Sequence, residues 1–197
     1  MDVPIFPLNG AVLFPGTSLP LNIFEKRYIE MIDYSLARDR MFGMIQTDED
    51  NNLHKVGCLG KIHSFNETDD GRYLISLQGI NCFRVIEELN QNYSFRMVKA
   101  HNIKNEEDDA LLNIEQKNGL IKKYKNYIKI KNINLDLDEI EKIELSQIIK
   151  FIAMVSPFTN IDKQVLLEAK NLTEFYTKLL SIIELELVGN FSNETIN

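Results

Sequence analysis

A chain of 197 residues, 44% hydrophobic and 26% charged, has the composition of an ordinary globular protein and the length of one domain or two intimate subdomains. No run approaches the ~20 apolar residues that span a bilayer, and acidic Asp2 with nearby prolines stands where a signal peptide would place lysines and then an apolar core, so a cytoplasmic protein is the expectation. A net charge of −7 argues against broad affinity for nucleic-acid phosphates, and two cysteines, Cys58 and Cys82, are too few for a disulfide framework and are expected to be buried thiols.

Residues 3–8 and 19–24 are short apolar runs punctuated by Pro7 and by Pro15-Gly16. Proline cannot donate to a ladder and Pro-Gly favours a type II turn, so both runs read as strands that stop there. Strands this short bury little alone and require more sheet to close over them. Residues 25–40 read as a helix, with Tyr28, Ile29, Ile32 and Leu36 at three- and four-residue spacing. Residues 41–47 and 57–65 return to strand composition, separated by the polar cluster 48–52. Asp70-Gly71 then predicts a hairpin into 72–80. Gly79 suits a bulge or bend, Phe83 and Val85 continue an alternating pattern, and Tyr93, Phe95 and Met97 form a last strand candidate. Six or seven short strands with one inserted helix predict a small, partly closed barrel.

Composition shifts at 102–109, where alternation gives way to helical periodicity. Helices are predicted over 110–130, with Ile114, Ile121, Tyr124 and Ile128 on one side, and over 138–155, ended by Pro157. A third covers 161–170, capped by Thr159 or Asn160, and a fourth is opened by Asn171 and Glu174 at capping-box spacing. Four helices on short loops predict a bundle. The expected class is α+β: a β subdomain over 1–104, a helical bundle over 105–190 and a frayed tail over 191–197.

The opening segments, Pro4-Ile5-Phe6-Pro7-Leu8, Val12-Leu13-Phe14-Pro15-Gly16 and Leu19-Pro20-Leu21-Asn22-Ile23-Phe24-Glu25-Lys26-Arg27-Tyr28, resemble the signature of the Lon protease N-terminal domain family. Similarity continues through Phe42-Gly43, Val56-Gly57-Cys58-Leu59-Gly60, Asp70-Gly71-Arg72-Tyr73-Leu74, Leu77-Gln78-Gly79 and Lys163-Gln164-Val165-Leu166-Leu167-Glu168. The resemblance implies a PUA-like β-barrel followed by a helical bundle, and a role in contacting other polypeptides. Full-length proteases of the family carry an ATPase and a serine-lysine peptidase downstream. This chain stops before either, which implies a free-standing Lon-domain protein.

Motifs for chemistry are weak. Gly57-Cys58-Leu59-Gly60-Lys61 lacks the four-residue spacing of a phosphate loop, and Ile62 stands where Ser or Thr would hold magnesium. His54, Cys58 and His63 match no zinc spacing. No Gly-x-Ser-x-Gly or His-Glu-x-x-His occurs, and the resemblance supplies no serine-lysine dyad in this domain. No enzyme activity and no cofactor are expected. Lys122, Lys123, Lys125, Lys129 and Lys131 crowd the far end of a helix preceded by Glu106, Glu107, Asp108 and Asp109, an arrangement the helix dipole favours. Glu25 and Arg27, at a helix start, carry a structural expectation on the same ground.

The reading is a non-catalytic module that holds extended or unfolded polypeptide in an apolar groove between the β half and the helical half, with an exposed strand edge adding main-chain hydrogen bonds. Leu13, Phe14, Pro15 and Gln78 are the candidate binding residues. The alternative is RNA binding on the PUA-like barrel, with Phe83-Arg84 and Tyr93-Ser94-Phe95-Arg96 as a stacking platform. Expected partners are client polypeptides, with a separate Lon protease among the candidates; no membrane is expected, nucleic acid is disfavoured and self-association is left open.

Overall fold

The computed structural model describes residues 1–104, 113–135, 137 and 140–194. In chain order these form β1 (Asp2–Pro7), β2 (Ser18–Ile23), α1 (Lys26–Leu36), β3 (Met41–Ile45), β4 (Val56–Glu67), β5 (Tyr73–Leu89), β6 (Met97–Asn102), α2 (Ile114–Ile130), a 3-10 turn (Ile140–Lys142), α3 (Leu145–Val155), α4 (Asn160–Leu167) and α5 (Leu172–Glu194). Two compact units result, Met1–Lys104 with Phe158–Glu168, and Asn105–Pro157 with Ala169–Asn197. The α+β class is as the sequence implies.

In the first unit six strands run in the order β2-β5-β4-β3-β1-β6, and β5 pairs also with β6. That pairing closes five strands into a ring and leaves β2 attached outside it. Only β1 and β3 run parallel, joined through β2 and α1. Val3, Ile5, Leu59, Phe83, Val98 and Ala100 meet inside the ring. Phe83 fits there because Gly43 and Gly57 face it: a Cβ on either would stand 2.6 Å from its ring. Helix α1 covers β1 and β3 with Tyr28, Met31 and Ile32, and the Tyr28 ring lies 4.3 Å from that of Phe6. Each fully buried side chain of this kind contributes about 1.5–3 kcal/mol over its exposed state.

Several boundaries differ from the sequence reading. Residues 73–89 form one strand of 17 residues instead of two. Gly79 does mark an irregularity: the register passes from Leu59↔Asn81 to Gly60↔Gly79, skipping Ile80, so the strand bulges without ending. Helix α1 stops at Leu36, short of Arg40. The last strand begins at Met97, so Tyr93 and Phe95 lie before it. Their alternation reflects aromatic packing, with ring centroids 4.9 Å apart and Tyr34 of α1 at 5.1 and 5.4 Å. At Asp70-Gly71 the expected turn is present, with Gly71 at φ +80° and its N–H donating to Thr68 O at 2.9 Å.

In the second unit α2 opens at a capping box between Asn113 and Gln116. Leu120, Tyr124 and Tyr127 form its buried face, whereas Ile114 is 64% exposed; the face predicted through Ile114 is therefore rotated. Residues 110–112 and 105–109, including the acidic run, lie outside the described residues, as do 138 and 139. Within the single helix predicted over 138–155, the described residues form the 3-10 turn followed by α3, which ends at Val155. Asn171 Oδ1 accepts from Glu174 N at 2.9 Å, and Glu174 Oε2 accepts from Lys170 N, so the cap of α5 reaches back one residue further than a standard box. Helix α5 continues through the predicted tail to Glu194, beyond which residues 195–197 are outside the described set. Helix α4 belongs with the sheet and not with these helices.

Candidate functional site

The connection between β1 and β2 is folded onto β5. Thr17 Oγ1 donates to Phe14 O at 2.8 Å, and Thr17 N donates to the same carbonyl at 3.1 Å. Gly16 N donates to Gly79 O, and Gly79 N to Thr17 O. This approach needs glycine at 79, because a Cβ there would lie 2.2 Å from Phe14 O. The turn drives Leu13 and Phe14 into the core, where they are 0% and 1% exposed. Of the four candidate residues, these two have no surface with which to touch a ligand and instead buttress the turn. Pro15 is half-buried and Gln78 exposed, at the N-terminal end of β2.

β2 is an edge. Its register with β5 pairs Ser18 with Gln78, Pro20 with Ser76 and Asn22 with Leu74. Since Thr17 O accepts from Gly79 N, alternation directs the backbone groups of Leu19 and Leu21 toward β5 and those of Ser18, Pro20 and Asn22 outward. Among the described residues no strand pairs with that outward side. Pro20 lacks an N–H, so the edge offers donors at Ser18 and Asn22 and carbonyls at all three positions. Proline at this point also blunts indiscriminate strand addition.

Beside the edge lies a depression of about 500 Å³, lined by Pro20, Leu21, Asn22, Phe65, Leu74 and Ser76 among others, with no charged side chain in its lining. Phe65 and Leu74 are 38% and 42% exposed, and Phe24, just past β2, is 66% exposed. The Phe65 ring is held edge-on against Tyr73 at 4.8 Å, and Tyr73 OH donates to Asp33 of α1 at 3.0 Å. Sequence reasoning passed over Phe65 and Leu74 because alternation assigns them to faces without saying what covers those faces. The signal available was the proline in an otherwise good strand.

Elsewhere in this unit α4 is tied to the sheet by polar contacts. Lys163, 5% exposed, donates from Nζ to Gly10 O at 3.0 Å, and burial pushes its pKa down. Gln46 Nε2 donates to Asn160 O and to Gln164 Oε1, both at 3.0 Å, and Gln164 Nε2 donates to Val56 O at 3.1 Å. Thr159 caps α4 through a box with Asp162. The Lys163-Gln164 pair singled out by resemblance thus anchors the helix.

Several of the cationic candidates are engaged. Arg96 makes a two-pronged pair with Glu88 at 2.6 and 2.7 Å, which holds the Glu88 carboxyl below its ordinary value; Phe95 is buried. Lys123 pairs with Glu184, and Lys131 with Glu186 at 2.6 Å. Arg27 pairs with Glu25 at 2.9 Å and stacks 4.5 Å from the Tyr28 ring. Among the described residues no group of three His, Cys, Asp or Glu side chains is placed to hold a metal, and no helix is long and apolar enough to cross a membrane.

Comparison with known proteins matches residues 2–184 to the model of the ATP-dependent protease La (LON) substrate-binding domain. Lon protease of Buchnera aphidicola subsp. Baizongia pistaciae is 24% identical over 95% of this chain, and that of Wolbachia pipientis subsp. Culex pipiens 25% identical over 94%. The chain spans about a quarter of the length of these relatives, 25% of each. Among solved structures, a Lon N-terminal domain protein from Xanthomonas campestris superposes with TM-score 0.69 at 20% identity, covering 92% of this chain and 98% of that one. The N-terminal domain of Mycobacterium avium complex Lon protease gives 0.68 at 16% identity, covering 93% and 98%. The part of the protease that is matched binds substrate and is neither its ATPase nor its peptidase. The chain belongs to the LON substrate-binding domain family.

Proposed function

We propose that this protein is a non-catalytic recognition module that holds extended, partly unfolded polypeptide along the outward edge of β2, with apolar side chains of the guest seated in the uncharged depression beside it. The observation that carries the reading is the coincidence of an edge with no strand partner among the described residues, donors spaced on either side of Pro20, and an uncharged depression whose lining includes the exposed Phe65 and Leu74. Main-chain bonds supply affinity without regard to sequence, and the depression supplies loose selectivity for apolar, uncharged segments. Pro15 and Gln78 border the N-terminal end of this edge, with Leu13 and Phe14 supporting them from below. A separate Lon protease is a natural recipient of clients held in this way. The RNA reading finds Arg96, Lys123 and Lys131 already paired with carboxylates, and no observation favours it.

The test is titration of a permanently unfolded protein and of a folded control, by fluorescence anisotropy. The unfolded partner should bind at tens of micromolar or tighter, about −6 kcal/mol, with little salt dependence, and Leu74→Glu should weaken binding at least tenfold while leaving the fold intact. Equal binding of both partners, or an unaffected Leu74→Glu, refutes this placement. Binding of RNA that falls steeply with salt would favour the barrel-RNA reading instead.

A further inference from the structure

Cys58 and Cys82 stand directly opposite each other in the β4–β5 ladder. Neither is in a disulfide, and they are 0% and 7% exposed. In an antiparallel ladder, opposed residues alternate between pairs that exchange backbone hydrogen bonds and pairs that do not; the latter bring the Cα atoms to about 4.5 Å. Two bonds assign this pair. Val85 N donates to Lys55 O at 2.9 Å, which makes the positions two and four residues along equivalent bonded ones and leaves 58 and 82 between them. Cys82 O meanwhile accepts from Ile103 N at 2.9 Å, so its backbone groups face β6 rather than β4.

The side chains also share a face. Leu59 and Phe83 point into the ring, so their neighbours Cys58 and Cys82 point outward on the same side. There they lie beneath α4, and Cys82 Sγ approaches Leu167 O at 3.7 Å. A disulfide accepts Cα separations of about 4.4–6.8 Å, so the expected spacing falls at its short end.

We propose that Cys58 and Cys82 are a reversible redox pair that forms a cross-strand disulfide, with a small-molecule disulfide as oxidant and opening of α4 as the gate. The thiolate of Cys82, the more exposed, attacks one sulfur of the oxidant, forming a mixed disulfide and expelling one small thiolate. The thiolate of Cys58 then attacks the Cys82 sulfur, forming the Sγ–Sγ bond and expelling the second. Two protein thiols are oxidised, one small disulfide is reduced to two thiols, and the protons leave with them. Closure removes the contact between Cys82 and Leu167 O and so loosens the last turn of α4.

The test incubates the full chain with oxidised glutathione, then counts thiols after denaturation and measures the intact mass. The expected result is loss of both thiols with no glutathione retained, a digest in which the peptides carrying Cys58 and Cys82 are linked, and recovery of both thiols on mild reduction. Cys58→Ser should end as a stable glutathione adduct on Cys82. Thr159→Ala, which removes the cap of α4, should speed disulfide formation about fivefold by easing local opening. Retention of both thiols by wild type and Thr159→Ala under conditions that oxidise the denatured chain would overturn the proposal, as would two glutathione adducts in place of the link.

Discussion

Gly79→Ala probes how the β1–β2 turn is joined to the edge strand. The added methyl would stand 2.2 Å from Phe14 O, 2.9 Å from Phe14 C and 3.2 Å from a Leu13 side-chain carbon. The first two are backbone atoms and cannot rotate away. Relief requires moving the turn off β5, breaking the bonds from Gly16 N to Gly79 O and from Gly79 N to Thr17 O and partly unseating buried Leu13 and Phe14. Overpacking of this kind costs about 2–3 kcal/mol, and at about 2–4 °C per kcal/mol for a chain of this size the melting temperature should fall by about 4–12 °C. Gly119→Ala is the matched control: it lies inside α2 with nothing within 4 Å of the new Cβ, and alanine there should stabilise by about 0.5–1 kcal/mol. Thermal unfolding followed by near-ultraviolet circular dichroism reads both, and amide exchange locates the loss of protection in Gly79→Ala to β2 and the turn. A Gly79→Ala protein that melts within a degree of wild type, with β2 protected as before, would refute the reasoning.

The other two predictions concern charge. Lys163 has its pKa lowered by burial, so the folded state binds its proton less tightly than the unfolded chain; stability should rise with pH through the interval ending at the ordinary lysine value of 10.5. Buried tyrosines shift the opposite way in the same region, so the readout is the difference between wild type and Lys163→Met in urea midpoint against pH: the gap should move in favour of wild type as pH rises, and a constant gap would contradict it. Glu88 is held low first by its hydrogen bond to Arg96, so its contribution should be present above the ordinary carboxylate value of 4.5 and be lost as pH falls through that value toward the folded pKa. Being largely at the surface, the pair should be worth less than about 1 kcal/mol, and Glu88→Gln should match wild type at low pH and fall slightly below it near neutrality; a larger deficit at low pH would refute this assignment.

Local order was readable from local chemistry. Alternating apolar residues gave β1 to β4 to within a residue or two, Asp70-Gly71 gave the hairpin, Thr159 and Asn171 gave helix starts, and the spaced motifs from Pro4 to Tyr28 pointed to the family that the comparison shows. These features depend on neighbours along the chain, where φ preference, capping and side-chain direction are settled within a few residues. What covers each face was decided elsewhere. β5 divides its length between β2 and β6, which closes the ring and leaves β2 as an edge; no periodicity encodes a partner twenty or sixty residues away. Phe14 went inward and Phe65 stayed at the surface although both are aromatic residues in strand-like company, because the first is drawn under the turn that Gly79 admits and the second sits where β4 and β5 extend past the ring. Helix α4 reads like its helical neighbours in sequence yet lies on the sheet, held by Lys163, Gln164 and Gln46. An amphipathic pattern specifies that a face must be buried, and only the three-dimensional competition among available surfaces selects the one that buries it.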